Sequence, residues 1–216
     1  MNVFRIPGTV AAIIFDLDNT LYTNSDYIAS QHESPVRRLA ETRGCSFDEM
    51  DAEIRAFRKS WTAARGETIS LANTLAAFGI SLEETIRWRE ELCHPEQFLS
   101  ADRELVRTLE ALSARSALGI YTNNPVSVAR KTLSVLGAES FFPVIVGLDT
   151  CAVSKPAREP LLRAAALLGA EPETCVSVGD RYDLDIALPL SLGMGGILVD
   201  GAADVYRLPF VLDGAP

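Results

Sequence analysis

Short, continuously apolar runs rich in β-branched residues alternate with helix-spaced leucines along the second half of this chain, and that alternation leaves few folds open. Residues 10–15 read Val-Ala-Ala-Ile-Ile-Phe with no polar alternation, the pattern of a strand buried on both faces. Residues 117–121, 144–146, 175–178 and 197–199 are similar short runs. Between them lie Leu105, Leu109 and Leu112; then Val126, Ala129, Leu133 and Leu136; then Leu161, Ala165 and Leu168, all at helical spacing. Strand–helix alternation predicts an α/β fold, a parallel sheet covered by helices on both faces. In such sheets the functional groups gather at the carboxyl ends of the strands.

The stretch from 21 to 96 follows a different rule. Phe47, Met50, Ile54, Phe57 and Trp61 repeat at alternating steps of three and four, which predicts an amphipathic helix with a hydrophobic stripe. Ile28, Val36 and Leu39 suggest a helix before it, and residues 75–78 and 82–92 suggest two after it. No strand pattern interrupts them. The expected organisation is an α/β core of residues 1–20 and 97–216 with an all-helical insertion at 21–96.

Charge and cysteine usage exclude several classes. Twenty basic against 29 acidic residues give a net charge of −9, without the basic face that a polymeric nucleic acid requires. The longest apolar runs, 10–15 and 164–170, fall far short of the ~20 residues that span a membrane. The first run stops at Asp16, which argues against a signal peptide. Cys45, Cys93, Cys151 and Cys175 are widely spaced with no C-x-x-C pair and read as reduced thiols, so a cytoplasmic location is expected. His32 and His94 have no partners at metal-ligand spacing.

The strand ends carry the chemistry. The first runs into Asp16-Leu17-Asp18-Asn19-Thr20, and side chains two apart in an extended segment point the same way. Two carboxylates that close need a cation or a shared proton. An EF-hand is excluded, because its sixth and twelfth positions hold Leu21 and Tyr27 rather than Gly and Glu. The second strand runs into Tyr121-Thr122-Asn123-Asn124-Pro125. There Asn124 reads as a helix cap before a proline, while Thr122 and Asn123 offer a hydroxyl, an amide and backbone N–H groups for an anion. Lys155, in Ser154-Lys155-Pro156, is one of only three lysines and reads either as a surface residue or as a neutralising charge beside phosphate. The fourth strand ends in Gly179-Asp180-Arg181-Tyr182-Asp183-Leu184-Asp185, three acids that suit a divalent cation with oxygen ligands, Asp183 being an alternative helix cap.

Taken in order, Asp-x-Asp-x-Thr, Thr, Lys and Gly-Asp-(x)4-Asp, each behind its own strand, resemble the four motifs of the haloacid dehalogenase-like (HAD) superfamily, specifically its phosphatases. The resemblance covers residues 10–20 and 100–199, and the insertion resembles that family's helical C1-type cap. It implies a Rossmann-like core and a Mg²⁺-dependent phosphomonoesterase acting on a small phosphorylated metabolite, as a monomer or homodimer. By that resemblance Asp16 is the nucleophile that becomes an aspartyl phosphate, and Asp18 protonates the leaving alcohol and then activates water. Thr122 and the backbone around Asn123 hold the phosphoryl group, and Lys155 offsets its charge. Mg²⁺ is bound by Asp16, Asp180 and the backbone carbonyl of Asp18, with Asp185 supporting them. Asp18 is absent from the true dehalogenases, so proton delivery to an alcohol is favoured over dehalogenation. Residues 15–22 and Tyr121-Thr122-Asn123 look like the pyrimidine 5′-nucleotidase branch. Arg65-Gly66-Glu67-Thr68 departs from that branch's Tyr-Gly-Thr-Thr element at Arg65 and Glu67, and Arg65 is the candidate cap contact to substrate. Alternatives are a phosphoglycolate or sugar-phosphate phosphatase, or a phosphomutase using the same aspartyl phosphate.

Overall fold

The computed structural model describes residues 1–214. The chain divides into two compact units, Met1–Asn24 with Pro95–Pro216, and Ser25–His94. These cuts fall at 24/25 and 94/95, against 20/21 and 96/97 in the sequence reading; at the first, Leu21 and Tyr22 continue a buried turn of the first unit. Leu21 N–H donates to Leu17 O at 3.0 Å, and Leu21 and Tyr22 are buried.

The first unit is built on six strands: β1 (Asn2–Arg5), β2 (Ala12–Phe15), β3 (Ala117–Tyr121), β4 (Val144–Val146), β5 (Cys175–Gly179) and β6 (Gly195–Leu198). Their order across the sheet is β1-β6-β5-β2-β3-β4. β2 to β6 are mutually parallel, and β1 pairs antiparallel with β6. The sheet is therefore mixed rather than wholly parallel. β1 left no trace in the sequence pattern because it is a four-residue edge strand with every residue exposed, so no buried face imposes periodicity on it.

The second unit is helical: α1 (Ser25–Arg43), α2 (Phe47–Arg65), α3 (Leu71–Ala77) and α4 (Leu82–Leu92). Ser46 caps α2 in a reciprocal box, its hydroxyl accepting from Glu49 N–H at 3.3 Å while its own N–H donates to Glu49 Oε2 at 2.9 Å. Ser70 and Ser81 cap α3 and α4 in the same way through one bond each, at 3.1 Å. The stripe foreseen on α2 is structural: Met50 and Ile54 join Val36, Leu39, Leu71, Leu75 and Trp88 in one core cluster. Gly66 ends α2 at φ +70°, a left-handed cap that glycine adopts without a Cβ penalty.

The helices of the first unit are α5 (Arg103–Ser113), α6 (Val126–Leu136), α7 (Leu148–Cys151), α8 (Arg158–Leu167), α9 (Ala187–Ser191), α10 (Ala202–Val205) and α11 (Leu208–Asp213). A π-helical turn, Tyr182–Ile186, leads into α9. β2 is the most enclosed element. Ala12 and Ile14 pack with Leu161, Ala164 and Ala165 of α8, while Phe15 meets Phe142 edge-on at 6.0 Å. Burying such an Ile or Phe is worth about 1.5–3 kcal/mol relative to exposure. This is what fixes the end of β2 in place. The chain runs outward from β2 through β3 to β4, then returns to lay β5 on the other side of β2, so the order reverses beside β2. Crevices of parallel sheets open at such a reversal.

Candidate active site

Asp16 is the first residue beyond β2, and its N–H still donates to Val178 O on β5 at 2.8 Å. Asp16 is thus anchored by the sheet ladder. Lys155 is buried, not a surface residue, with its side chain 3 % exposed. Its ammonium donates to Asp16 Oδ1 at 2.7 Å and to Asp185 Oδ1 at 2.8 Å, and lies 4.8 Å from the centre of the Tyr121 ring. The loop that delivers it is pinned from β3, where Asn123 Oδ1 accepts from Lys155 N–H at 2.7 Å. Asn123 therefore acts on the lysine loop through its side chain. Thr122 is buried at the end of β3, held by a backbone bond to Val146 O at 3.0 Å, and its hydroxyl accepts from Asn124 N–H at 3.2 Å.

The fourth strand end resolves the choice between its acids. Asp185 is buried, with Oδ1 on Lys155 and Oδ2 accepting from Arg181 N–H at 3.1 Å; Ser177 Oγ donates to its backbone carbonyl at 2.7 Å. Asp183 is exposed and pairs with Arg181 at 2.7 Å, caps no helix and takes no part in the cluster. Gly179 permits the close approach of Asp185 to β5: a Cβ there would lie 2.4 Å from Asp185 Cβ and 2.5 Å from its Cγ.

Asp16, Asp180 and Asp185 offer carboxylate oxygens all within 4.8 Å of one another. Burial pushes Asp16 up to about 8, with Asp185 and Asp18 adding like-charge repulsion and Lys155 opposing. Burial and the Asp185 charge likewise push Asp180 up to about 6. For Lys155, burial favours the neutral amine, but the carboxylates of Asp16 and Asp185 outweigh it and hold the ammonium charged, above the usual lysine value. One lysine facing three converging acids leaves negative charge in excess. Hard oxygen donors with surplus negative charge fit a Mg²⁺ ion.

Two residues of this site escaped the sequence reading. Asn124 was expected to cap a helix, but Pro125 holds the cap position of α6 without a side-chain bond, and Asp149 Oδ1 on α7 accepts from Val126 N–H instead. The Asn124 amide turns inward and donates from Nδ2 to Asp18 Oδ2 at 3.0 Å. The Tyr22 hydroxyl donates to Asp18 Oδ1. For Asn124, the only usable signal was its place beside Thr122 and Asn123 at a strand end. Arg65 lies in the helical unit, exposed at the end of α2, with its guanidinium 3.6 Å above the Trp61 ring.

The family description "haloacid dehalogenase-like hydrolase" matches residues 10–192. A phosphoglycolate phosphatase of Aquifex aeolicus is 38 % identical over 176 residues, covering 81 % of this chain and 77 % of that protein. The pyrophosphatase PpaX of Listeria innocua is 25 % identical over 179 residues, covering 81 % and 76 %. Among solved structures, a HAD phosphatase from Thermococcus onnurineus superposes with a TM-score of 0.65 at 22 % identity, covering 95 % of this chain and 99 % of that one, a likeness of fold.

Proposed function

The chain belongs to the haloacid dehalogenase-like hydrolases and is a phosphatase of that family, and from this premise we propose that it is a Mg²⁺-dependent hydrolase of a small phosphomonoester of the phosphoglycolate type. The observation that carries the reading is the buried cluster in which Lys155 bridges Asp16 and Asp185 beside Asp180. A nucleophilic carboxylate held by one cation at a strand end, with a second acid two residues on, is what two-step phosphoryl transfer through an enzyme carboxylate requires.

In the proposed mechanism Asp16 attacks phosphorus, and the ester oxygen departs as Asp18 gives it a proton. Thr122 and the backbone N–H groups beyond β3 hold the phosphoryl oxygens, and Lys155 offsets the charge that Asp16 and the phosphate bring together. Water then attacks the phosphorus of the aspartyl phosphate while Asp18 takes its proton, and Asp16 is regenerated. Asp16, Asp180 and the Asp18 carbonyl would hold Mg²⁺, which when bound supplies positive charge against the carboxylates and the transferring phosphoryl group. Asp185, with both oxygens engaged by Lys155 and Arg181, orients the lysine.

The relatives named phosphoglycolate phosphatase support this substrate class over the pyrimidine 5′-nucleotidase branch suggested by residues 15–22. The departures of Arg65 and Glu67 from that branch's element point the same way. The test is phosphate release with Mg²⁺ from phosphoglycolate, a nucleoside monophosphate, a sugar phosphate and pyrophosphate. Preference for phosphoglycolate in kcat/KM is expected, and preference for the nucleotide or pyrophosphate would overturn the specificity reading. Transfer to a second sugar without free phosphate would make the protein a phosphotransferase.

A further inference from the structure

Asp18 has to serve twice, first giving a proton to the leaving oxygen and then taking one from water, so its carboxyl must keep one aim through both steps. A carboxylate has about four acceptor positions, two on each oxygen. Here Asn124 Nδ2 donates to Oδ2 at 3.0 Å and the Tyr22 hydroxyl donates to Oδ1. Two donors on two oxygens fix the plane of the carboxyl as well as its position.

The backbone is shaped to bring Tyr22 there. Asn19 adopts φ +55°, a left-handed conformation that asparagine tolerates better than most side chains. Leu21 N–H closes the turn onto Leu17 O at 3.0 Å, and an isolated bridge pairs Asp18 with Tyr22. The Tyr22 side chain is then carried back over the turn, with the residue only 3 % exposed. A phenylalanine would fill that space as well; the hydroxyl is the part that packing does not need.

We propose that Tyr22 is a positioning residue for Asp18, its hydroxyl holding the carboxyl in the orientation from which the proton is passed to the leaving oxygen. The proposal rests on the phosphatase reading above. Tyr22 keeps its own proton throughout. In the first step an Asp16 oxygen bonds to phosphorus as the ester O–P bond breaks and the Asp18 proton moves to the departing oxygen; in the second, water's oxygen bonds to phosphorus as the Asp16 O–P bond breaks, and water's proton moves to Asp18. A phenol can also turn to accept, so it remains a partner whichever form Asp18 is in, whereas an ammonium could only donate.

The test is Tyr22→Phe, which keeps the ring and removes the hydroxyl, with Tyr22→Met, an adaptable gap-filling side chain, for the same comparison should the first variant not fold. Both proteins are assayed with an alkyl phosphate, whose leaving group needs the proton, and with p-nitrophenyl phosphate, whose leaving group does not. For the alkyl ester kcat should fall about 10–100-fold, with little change in KM, while the pre-steady-state release of nitrophenol, which precedes the water step that both esters share, should slow about threefold or less. In an Asp18→Asn background Tyr22→Phe should have no further effect on the alkyl ester, since no proton remains to be aimed. Equal losses on both esters, or full additivity with Asp18→Asn, would overturn the proposal and leave Tyr22 a packing residue. Wild-type protein that releases phosphate from neither ester would overturn the phosphatase reading itself.

Discussion

Gly179→Ala is the smallest change that should damage both fold and site. The new Cβ would stand 2.4 Å from Asp185 Cβ, 2.5 Å from Cγ and 2.6 Å from Oδ2, and ordinary contact begins near 3.4 Å. About 1 Å of separation must therefore be found. The near atoms include the root of the side chain, so rotating Asp185 does not relieve the clash. Either the π-helical turn Tyr182–Ile186 moves or the end of β5 does, and β5 is tied to β6 there by Val199 N–H to Gly179 O at 2.9 Å. Overpacking of this kind costs about 1–3 kcal/mol. For a chain of this length that corresponds to roughly 2–12 °C in Tm. Asp185 orients Lys155 at 2.8 Å, and a catalytic group misplaced by about 1 Å loses on the order of 100-fold in rate. Thermal unfolding and steady-state phosphate release on the same preparations read the two effects. A variant with wild-type Tm and kcat would refute the close-approach argument; a lowered Tm with unchanged kcat would refute the role of Asp185 in aiming the lysine.

Asp16→Asn should abolish turnover, because an amide is not a competent nucleophile; steady-state activity within tenfold of wild type would exclude covalent catalysis through Asp16. Mg²⁺ should raise the Tm, and by more at pH 8 than at pH 5. Asp16 is raised from 3.8 to about 8 in the fold, so between those values the unfolded chain gives up a proton that the folded, metal-free protein retains. Its stability therefore falls as pH rises through that window, and a bound cation relieves the penalty. A Mg²⁺-dependent shift in differential scanning fluorimetry that is equal at both pH values, or absent, would contradict this. Arg65→Ala should lower kcat/KM for the preferred substrate about 10–100-fold while sparing p-nitrophenyl phosphate; equal losses would assign Arg65 to support of α2, where it covers Trp61.

The elements that were legible in the sequence are those whose surroundings impose a pattern. β2 is enclosed on both faces and reads as an unbroken apolar run, and α2 buries one stripe and reads at steps of three and four. β1 imposes no periodicity, since all four of its residues are exposed, held by backbone bonds to β6 and a ring contact of Phe4 with Tyr182 at 5.2 Å. The same contrast separates the site residues. Asp16, Thr122 and Asp180 stand just beyond strand ends and Lys155 follows the short helix α7, and their order along the chain is what singled them out as candidates. Tyr22 reaches Asp18 through a turn that depends on Asn19 at positive φ, and no periodicity announces such a turn. Asn124 carried a competing local explanation, a cap before proline, which the fold sets aside by satisfying Val126 N–H from Asp149 on α7.

The same logic explains why sequence left Asp183 and Asp185 undecided while the fold separates them. The two differ by two positions, which in an extended segment would aim them alike and in an α-helix would set them well apart. Neither applies. After Gly179 the chain enters a π-helical turn in which Asp185 N–H bonds to Arg181 O at 2.8 Å, and Arg181 N–H bonds back to Asp185 Oδ2 at 3.1 Å. That closed loop points the Asp185 carboxyl inward against β5, where glycine alone leaves room for it, and turns Asp183 outward to Arg181. A buried carboxylate is tolerated only where cations and donors meet it. Asp185 finds Lys155, a backbone N–H and a serine bond to its carbonyl, and an outward-facing Asp183 needs none of them. Asp183→Asn should therefore leave the free energy of unfolding within about 0.5 kcal/mol of wild type, read by denaturant unfolding. Asp185→Asn should destabilise the fold and uncouple Lys155 from its second carboxylate, and equal stabilities for the two variants would show that burial does not distinguish them.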